Sequence, residues 1–494
     1  MEAKFEVRET DLMGRVGVVS LGSKRFETPC LTPVVHPVWR DIPLAEFKQM
    51  GFEVLMTNSY ILYKRDLEPA LEKGIHALLG FDGVVMTDSG GYQVLEYGDT
   101  EFTPDEIADF QSRVGSDLAV TLDKPTGYST SRAYAKETMT SSLEAARQTI
   151  EKFGGSKTTW VGPVQGGIFG DLVRRSAKGL VEAGFQYLAL GSPVELMEGY
   201  LFSPLVDMIV NTKKSMPYAT PLHLFGAGHP LTLPLSVALG CDTFDSASYM
   251  LYARKGRYMT ERGTLTLDKM THLPCSCPKC NSTSVKDLAE MPRKDKVRTL
   301  ATHNLHVLRA DVIRCKEAII EGRLWDLVEE RAMAHTSAMR AFRALVREHG
   351  DWLAKPTALL KHRGMMVRTD EDLLRPDVTL AKEHLARLMA RRRPRGPATA
   401  VLATSTASPP LTKTGGRIRR VRGLEQADIY RVSPVLGAYP AELEFVYPFS
   451  QTIADREVPE ASPSACVKQL RRMGYTRVVV GGKGRPKRSK RRSA

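Results

Sequence analysis

From residue 30 onward, short apolar runs recur along the chain with amphipathic segments between them. The runs are CLTPVV (30–35), EVLMT (53–57), GVVMT (83–87), LAVTL (118–122), TWVGPV (159–164), YLALG (187–191), HLFGA (223–227) and DTF (242–244). Most are nearly continuous in apolar residues rather than alternating, which is the pattern of a strand buried on both faces. The intervening segments carry helix signals: LAEFKQMG follows Pro43, TPDEIADFQSRVG opens on a threonine cap, and SSLEAARQTIEKFG closes on glycine. Buried strands alternating with helices predict an α/β fold, a (β/α)8 TIM barrel over roughly 30–345. The competing arrangement is an open doubly wound sheet. Residues 1–29 read as a short β preface, and 296–349 as helices.

The pattern changes after the helices. We expect a barrel domain over 1–345, a mixed accessory segment at 346–390, a flexible basic linker at 391–423, a small α+β accessory domain at 424–481 and a basic tail at 482–494. The linker is rich in Pro, Ser, Thr and Arg. In the accessory domain, LEFVYPF and YTRVVVGG are the expected strands.

Net charge is +14, and its placement matters more than its size. Clusters at 391–395, 417–422 and 483–492 hold 15 positive charges, which leaves the remainder near −1. A near-neutral body with a basic C-terminal third suits a polyanion, nucleic acid before membrane, because no amphipathic anchor accompanies the clusters. No run of about 18 apolar residues predicts a membrane span. The opening MEAKFEVRET lacks the apolar core of a signal peptide, so a cytoplasmic protein is expected.

Seven cysteines in a large chain argue against a disulfide framework. Cys30, Cys241, Cys315 and Cys466 are isolated and read as small core hydrophobes. Cys275, Cys277 and Cys280 form CSCPKC. Three thiolates this close repel unless a cation neutralises them, and Zn2+ accepts a Cys3His set tetrahedrally. His272, His303 and His306 are the candidate fourth ligands. A closed set of four leaves no position for water, so one structural Zn2+ is expected, held by a zinc-binding insertion at 275–303.

Polar or glycine residues follow the strands: Asp88, Asp123, Gln165, Gly191, Gly226 and Asp245. A single aspartate there is ordinarily a helix N-cap. Six such positions on separate strands point to one rim, the C-terminal face where barrels place chemistry. In TDSGGYQV the paired glycines permit close approach of a planar ligand, and Tyr92 can stack on it. The run SASYMLYARKGRYMT, with Arg254, Lys255 and Arg257, reads as an RNA contact.

TDSGGYQV (87–94), LDKPT (122–126), VQGG (164–167), FGAGHP (225–230), FDSASYMLYARKGRYMT (244–260) and CSCPKC with His303 occur in this order. Together they resemble the tRNA-guanine transglycosylases, specifically the archaeal type, strongly over about 10–345 and more weakly over 350–480. The resemblance implies a zinc-containing barrel that exchanges guanine 15 of the tRNA D-arm for 7-cyano-7-deazaguanine without breaking the backbone, the first tRNA step towards archaeosine. It implies that Asp245 is the nucleophile and Asp88 the general acid/base. That agrees with the chemistry of retaining glycosyl transfer, which needs two carboxyl groups about 5 Å apart. For the base it implies Asp123 as acceptor, Gln165 as donor, Tyr92 and Phe225 as the sandwich, and backbone from Gly191 to Val194 at the C7 substituent, with Ser89 also in the binding set. Zinc would be held by Cys275, Cys277, Cys280 and His303. A homodimer is implied, and so is flipping of the target guanosine out of its stack.

The sequence departs from the archaeal pattern after YTRVVVGG, where KGRPKRSKRRSA follows in place of the expected compact RNA-binding module. The basic tail or a separate protein is the expected substitute, and a separate RNA-binding or downstream archaeosine enzyme is an expected partner. Rival readings are a non-catalytic RNA-binding subunit, a base exchanger acting on DNA, and a zinc hydrolase. Asp88, Asp123 and Asp245 together count against the first, and the filled ligand set counts against the last.

Overall fold

The computed structural model describes residues 3–65, 67–91, 102–128, 130–358, 360–361, 363–394, 398–403, 426–449, 451–455 and 458–481. The chain divides into two compact units, Met1–His349 and Gly350–Ala494.

The first unit begins with an antiparallel sheet of β1 (Ala3–Asp11), β2 (Gly14–Leu21) and β3 (Lys24–Thr28). Eight parallel strands follow in sequence: β4 (Cys30–Pro33), β5 (Val54–Asn58), β6 (Val84–Asp88), β7 (Leu118–Val120), β8 (Thr159–Val164), β9 (Leu188–Leu190), β10 (Leu222–Leu224) and β11 (Thr243–Ser246). Each overlaps one of the apolar runs, and their order in the sheet is the order in the chain, with β11 returning to β4. A parallel bridge between Val34 and Met56 closes the ring, and Val35 N–H donates to Met56 O at 2.8 Å. The doubly wound alternative is thereby excluded, since an open sheet leaves its first and last strands unpaired.

The barrel interior is a packed core rather than a pore. Val54 and Met56, Val84 and Met86, Leu118 and Val120, and Tyr187 and Ala189 alternate inward from their strands. Val19, Leu21 and Phe26 of the antiparallel sheet enter the same core beside residues that begin the strands, so the β preface plugs the N-terminal end. Arg15 of β2 makes a buried ion pair with Asp242, whose carboxylate also accepts from Leu222 N–H at 2.8 Å. That leaves the C-terminal end open for chemistry.

The expected helix signals act as such. Thr103 and Glu106 form a reciprocal capping box on the helix Pro104–Arg113. After β11 come a short helix, Ser248–Arg254, and a hairpin of β12 (Arg257–Thr260) and β13 (Gly263–Thr266). The long helix Arg293–Ile320 packs against both. The four isolated cysteines are all buried. Among the described residues, no helix is long and apolar enough to cross a membrane.

In the second unit, a parallel pair joins β14 (Met365–Val367) to a strand at Thr452–Ala454. A four-stranded mixed sheet is built from β15 (Thr399–Ala403), β16 (Asp428–Ser433), β17 (Gly437–Pro440) and a last strand, Arg477–Gly481, in the order β17, β16, β15, last strand. Two findings differ from the expected organisation. TAVLA, inside the expected linker, is a wholly buried strand in the middle of this sheet. Its five residues are too few to stand out from a Pro/Ser/Thr-rich background. LEFVYPF is a turn instead of a strand: Phe445 is 61% exposed, Tyr447 and Phe449 bury in separate clusters, and Pro448 removes a ladder donor. YTRVVVGG does supply a strand. The basic clusters at 417–422 and 483–492 lie outside the described residues, as does Tyr92.

Candidate active site and metal centre

Strand ends on the open rim bring polar groups together while the barrel wall keeps them out of bulk water. Asn58 and Asp88 are register partners at the ends of β5 and β6, and Asn58 Nδ2 donates to Asp88 Oδ2 at 3.0 Å. Asp123 follows β7, and its Oδ2 accepts from Gln165 Nε2 at 2.5 Å. Asp245 lies within β11, and its Oδ1 accepts from His223 Nε2 at 3.0 Å and from Gly226 N–H at 2.8 Å. All three carboxylates open on one cavity of about 430 Å³, which Gly191, Val194 and Phe225 also line.

Three acidic groups around one small volume cannot all ionise at ordinary cost. Burial, with Asp123 and Asp245 alongside, pushes the Asp88 carboxyl up to about 7, although the N–H groups of Gly90 and Ser89 pull the other way. Burial likewise raises Asp123 to about 6 against the hydrogen bond from Gln165. A buried carboxyl poised near neutrality is suited to give and take a proton. Asp245 differs in its donors: an imidazole N–H and a backbone N–H both converge on one oxygen.

The Ser-Gly-Gly turn has a steric reason. A Cβ on Gly91 would lie 2.2 Å from Asp123 Oδ1, so only glycine lets the turn after β6 meet the carboxylate after β7. Gly191 is constrained in the same way by Gln165, whose Nε2 would lie 2.3 Å from an added Cβ.

Of the residues the sequence singles out, Asp88, Asp123, Gly191, Val194, Phe225 and Asp245 are brought to the cavity wall. Two sit behind it. Ser89 is buried with its hydroxyl donating to Thr121 O at 3.3 Å. Gln165 is buried behind Asp123, and its Oε1 accepts from Thr126 and Ser192. Tyr92 is outside the described residues. The sequence reading missed Asn58 and His223. Asn58 ends its strand just as Asp88 does and was open to the same inference, whereas His223 lies inside the strand LHL and carries no local signal.

The metal centre gathers Cys275, Cys277, Cys280 and His303, whose ligand atoms all lie within 4.8 Å of one another. Cys280 Sγ is 3.3 Å and Cys277 Sγ 3.6 Å from His303 Nδ1. A tetrahedral ion with metal–sulfur bonds of about 2.3 Å and metal–nitrogen bonds of about 2.0–2.1 Å separates its ligands by about 3.5 Å, so the donor set fits. His303 Nε2 donates to Met259 O at 2.9 Å, which leaves the Nδ1 lone pair directed at the sulfurs. The thiols hydrogen-bond each other, lowering Cys277 and raising Cys280, as sulfurs do when too close to ionise together. His272 and His306 are not in the cluster.

The basic-aromatic run is more structural than its composition implies. Tyr258 is fully buried, stacks on His303 with ring centroids 3.6 Å apart, and bonds Cys280 Sγ at 3.3 Å, so it offers RNA no face. Arg254 pairs with Asp41 at 2.8 Å and stays half-exposed, while Arg257 is exposed on the hairpin.

Comparison with known proteins agrees with this geometry. The family model described as queuine tRNA-ribosyltransferase matches residues 11–337, the span that holds both the carboxylate cavity and the metal cluster. A tRNA-guanine(15) transglycosylase of Aeropyrum pernix is 41% identical over 451 residues, covering 90% of this chain and 87% of the relative. Its counterpart in Methanocaldococcus jannaschii is 39% identical over 92% of this chain and 68% of the relative. That of Methanosarcina mazei is 38% identical over 95% and 92%. With a closed barrel, a three-carboxylate rim and matches over nearly its whole length, the chain belongs to the queuine tRNA-ribosyltransferase, or tRNA-guanine transglycosylase, family of pentosyl-transferring glycosyltransferases.

Proposed function

We propose that this protein exchanges guanine 15 of the tRNA D-arm for 7-cyano-7-deazaguanine, the first tRNA step of archaeosine synthesis. The observation that carries the reading is the convergence of Asp88, Asp123 and Asp245 on one cavity, with Asp88 held near neutrality and Asp245 under two donors. Asp245 attacks the anomeric carbon of the flipped nucleotide. A glycosyl–carboxylate bond forms as the bond from the sugar to guanine breaks, and Asp88 delivers a proton to the departing purine. Asp88, now ionised, takes the proton from the incoming deazapurine, which attacks the same carbon and releases Asp245.

Asp123 accepts from the N–H edge of the base and Gln165 holds it in place, with a second amide hydrogen for the base carbonyl. Phe225 and Tyr92 enclose the ring. Ser89 supports Asp88 from behind, and backbone between Gly191 and Val194 meets the nitrile; Val194 is the donor there, because Pro193 has no N–H. Zn2+ is the ion for Cys275, Cys277, Cys280 and His303, and it fastens the segment after the hairpin to the helix Arg293–Ile320. The protein acts in the cytoplasm as a homodimer, and the basic tail at 482–494 adds to the grip on tRNA.

Two measurements test this. A covalent tRNA adduct should be trapped with the wild type and not with Asp245→Ala. Labelled guanine at position 15 should be released when 7-cyano-7-deazaguanine is added. An adduct on a DNA duplex, or exchange that ignores the nitrile base, would count against the reading.

A further inference from the structure

Behind Asp245 runs a column of buried polar side chains between β9 and β11. Tyr187 OH lies 2.7 Å from Thr243 Oγ1, Thr243 Oγ1 lies 2.9 Å from His223 Nδ1, and His223 Nε2 lies 3.0 Å from Asp245 Oδ1. Tyr187 and His223 are fully buried, and Thr243 is 1% exposed. His223 and Thr243 are register partners on β10 and β11, so the column is set by the sheet itself.

The polarity of the column follows from its last member. A carboxylate only accepts, so His223 Nε2 carries the proton. In the neutral ring Nδ1 then accepts from Thr243, and Thr243 accepts from Tyr187. Asp245 sets the tautomer, and Thr243 and Tyr187, which do not line the cavity, fix the ring orientation from behind. On Asp245, both donors among the described residues act on Oδ1, and among those residues Oδ2 has no protein hydrogen bond. A carboxylate held by one oxygen at the edge of a cavity presents the other.

We propose that Tyr187, Thr243 and His223 are positioning residues for the glycosyl exchange, holding Oδ1 of Asp245 so that Oδ2 forms the bond to the sugar. This rests on Asp245 being the nucleophile, as proposed above. In the first half-reaction the Oδ2 lone pair forms the bond to the anomeric carbon, the bond to guanine breaks with its electron pair leaving on the base, and the proton comes from Asp88. In the second, the new base bonds the same carbon and the Oδ2–carbon electron pair returns to the carboxylate. The donor on Oδ1 stabilises the charge that reappears in that step, so the column matters more for breakdown of the adduct than for its formation.

The test uses full-length protein and tRNA. His223→Phe keeps the ring and removes the donor. The expected result is a kcat loss of about 10- to 100-fold with KM for tRNA nearly unchanged, together with a covalent adduct that persists longer than in the wild type. His223→Gln, which places an amide N–H near the same oxygen, should recover most of the rate. Tyr187→Phe should lose only about 2- to 5-fold. Should His223→Phe turn over like the wild type, or should His223→Gln be no better than His223→Phe in folded protein with normal tRNA binding, the positioning role is overturned. The nucleophile assignment fails separately, by adduct formation on Asp245→Ala.

Discussion

The rim and the metal centre are two solutions to one electrostatic problem. Each packs like-charged groups closer than water would allow: three carboxyls around a cavity, and three sulfurs beside a histidine. On the rim the repulsion is relieved by protons and neutral donors, with Asp88 raised to about 7, Asp123 to about 6, and Asp245 under His223 and Gly226. At the cysteines the donor set is filled from all four sides and the imidazole is locked by Met259 O. Charge relieved by a proton stays available to a substrate, because a proton can leave. Charge relieved by a cation in a closed set does not. On the proposed function, the more reactive-looking residue types therefore take the structural task.

The largest expected effect breaks the comparison on the rim side. Asp245→Ala should abolish adduct formation and lower exchange by 10³-fold or more, on the order of what loss of a nucleophile costs, measured by single-turnover assay. Next, the metal side: Cys280→Ser or a strong chelator should lower Tm by about 10 °C or more, because binding energy of a structural ion is folding energy. Metal content by mass spectrometry should fall with it, and activity should follow the folded fraction. A chelated protein that kept its Tm but lost chemistry would reverse the roles assigned to the two sites.

A smaller effect sharpens the account of the rim. Asp123 is, after burial, the next influence raising Asp88. Removing its charge in Asp123→Asn favours the ionised form of Asp88 and lowers its pKa. On the proposed mechanism adduct formation needs the acid form, so its rate should fall as pH rises through about 7 in the wild type. That falling limb should move about 0.5 to 1 unit towards acid in the variant. A limb that stayed in place would mean that burial alone sets Asp88. The smallest effect is at the metal: Tyr258→Phe keeps the stack on His303 and removes the bond to Cys280 Sγ. Metal affinity should drop about 3-fold with exchange unchanged.

The eight barrel strands were legible because burial on both faces writes a nearly continuous apolar run, and the cysteine knot was legible because its spacing is local. Asp88, Asp123 and Asp245 could be singled out because each sits at or just beyond a strand, and strands of one barrel share a rim. Elsewhere local reading failed for identifiable reasons. TAVLA is buried by neighbours that come later in the chain, LEFVYPF splits its aromatics between two cores, and the exposed look of ARKGRY conceals Tyr258 against Cys280 and His303.

What the sequence determined by itself is therefore the period of the strands, the identity of the acidic residues at their ends and the metal-binding spacing, all properties of neighbours along the chain. What only the tertiary structure decided is which oxygen of Asp245 is held and by what, that Asn58 stands against Asp88, that Gln165 lies behind Asp123, and that Val34 meets Met56 to close the ring. Those relations join residues on different strands. Hydrogen bonds of about 3 Å and carboxyl pKa values depend on distances across the barrel, which no linear pattern encodes.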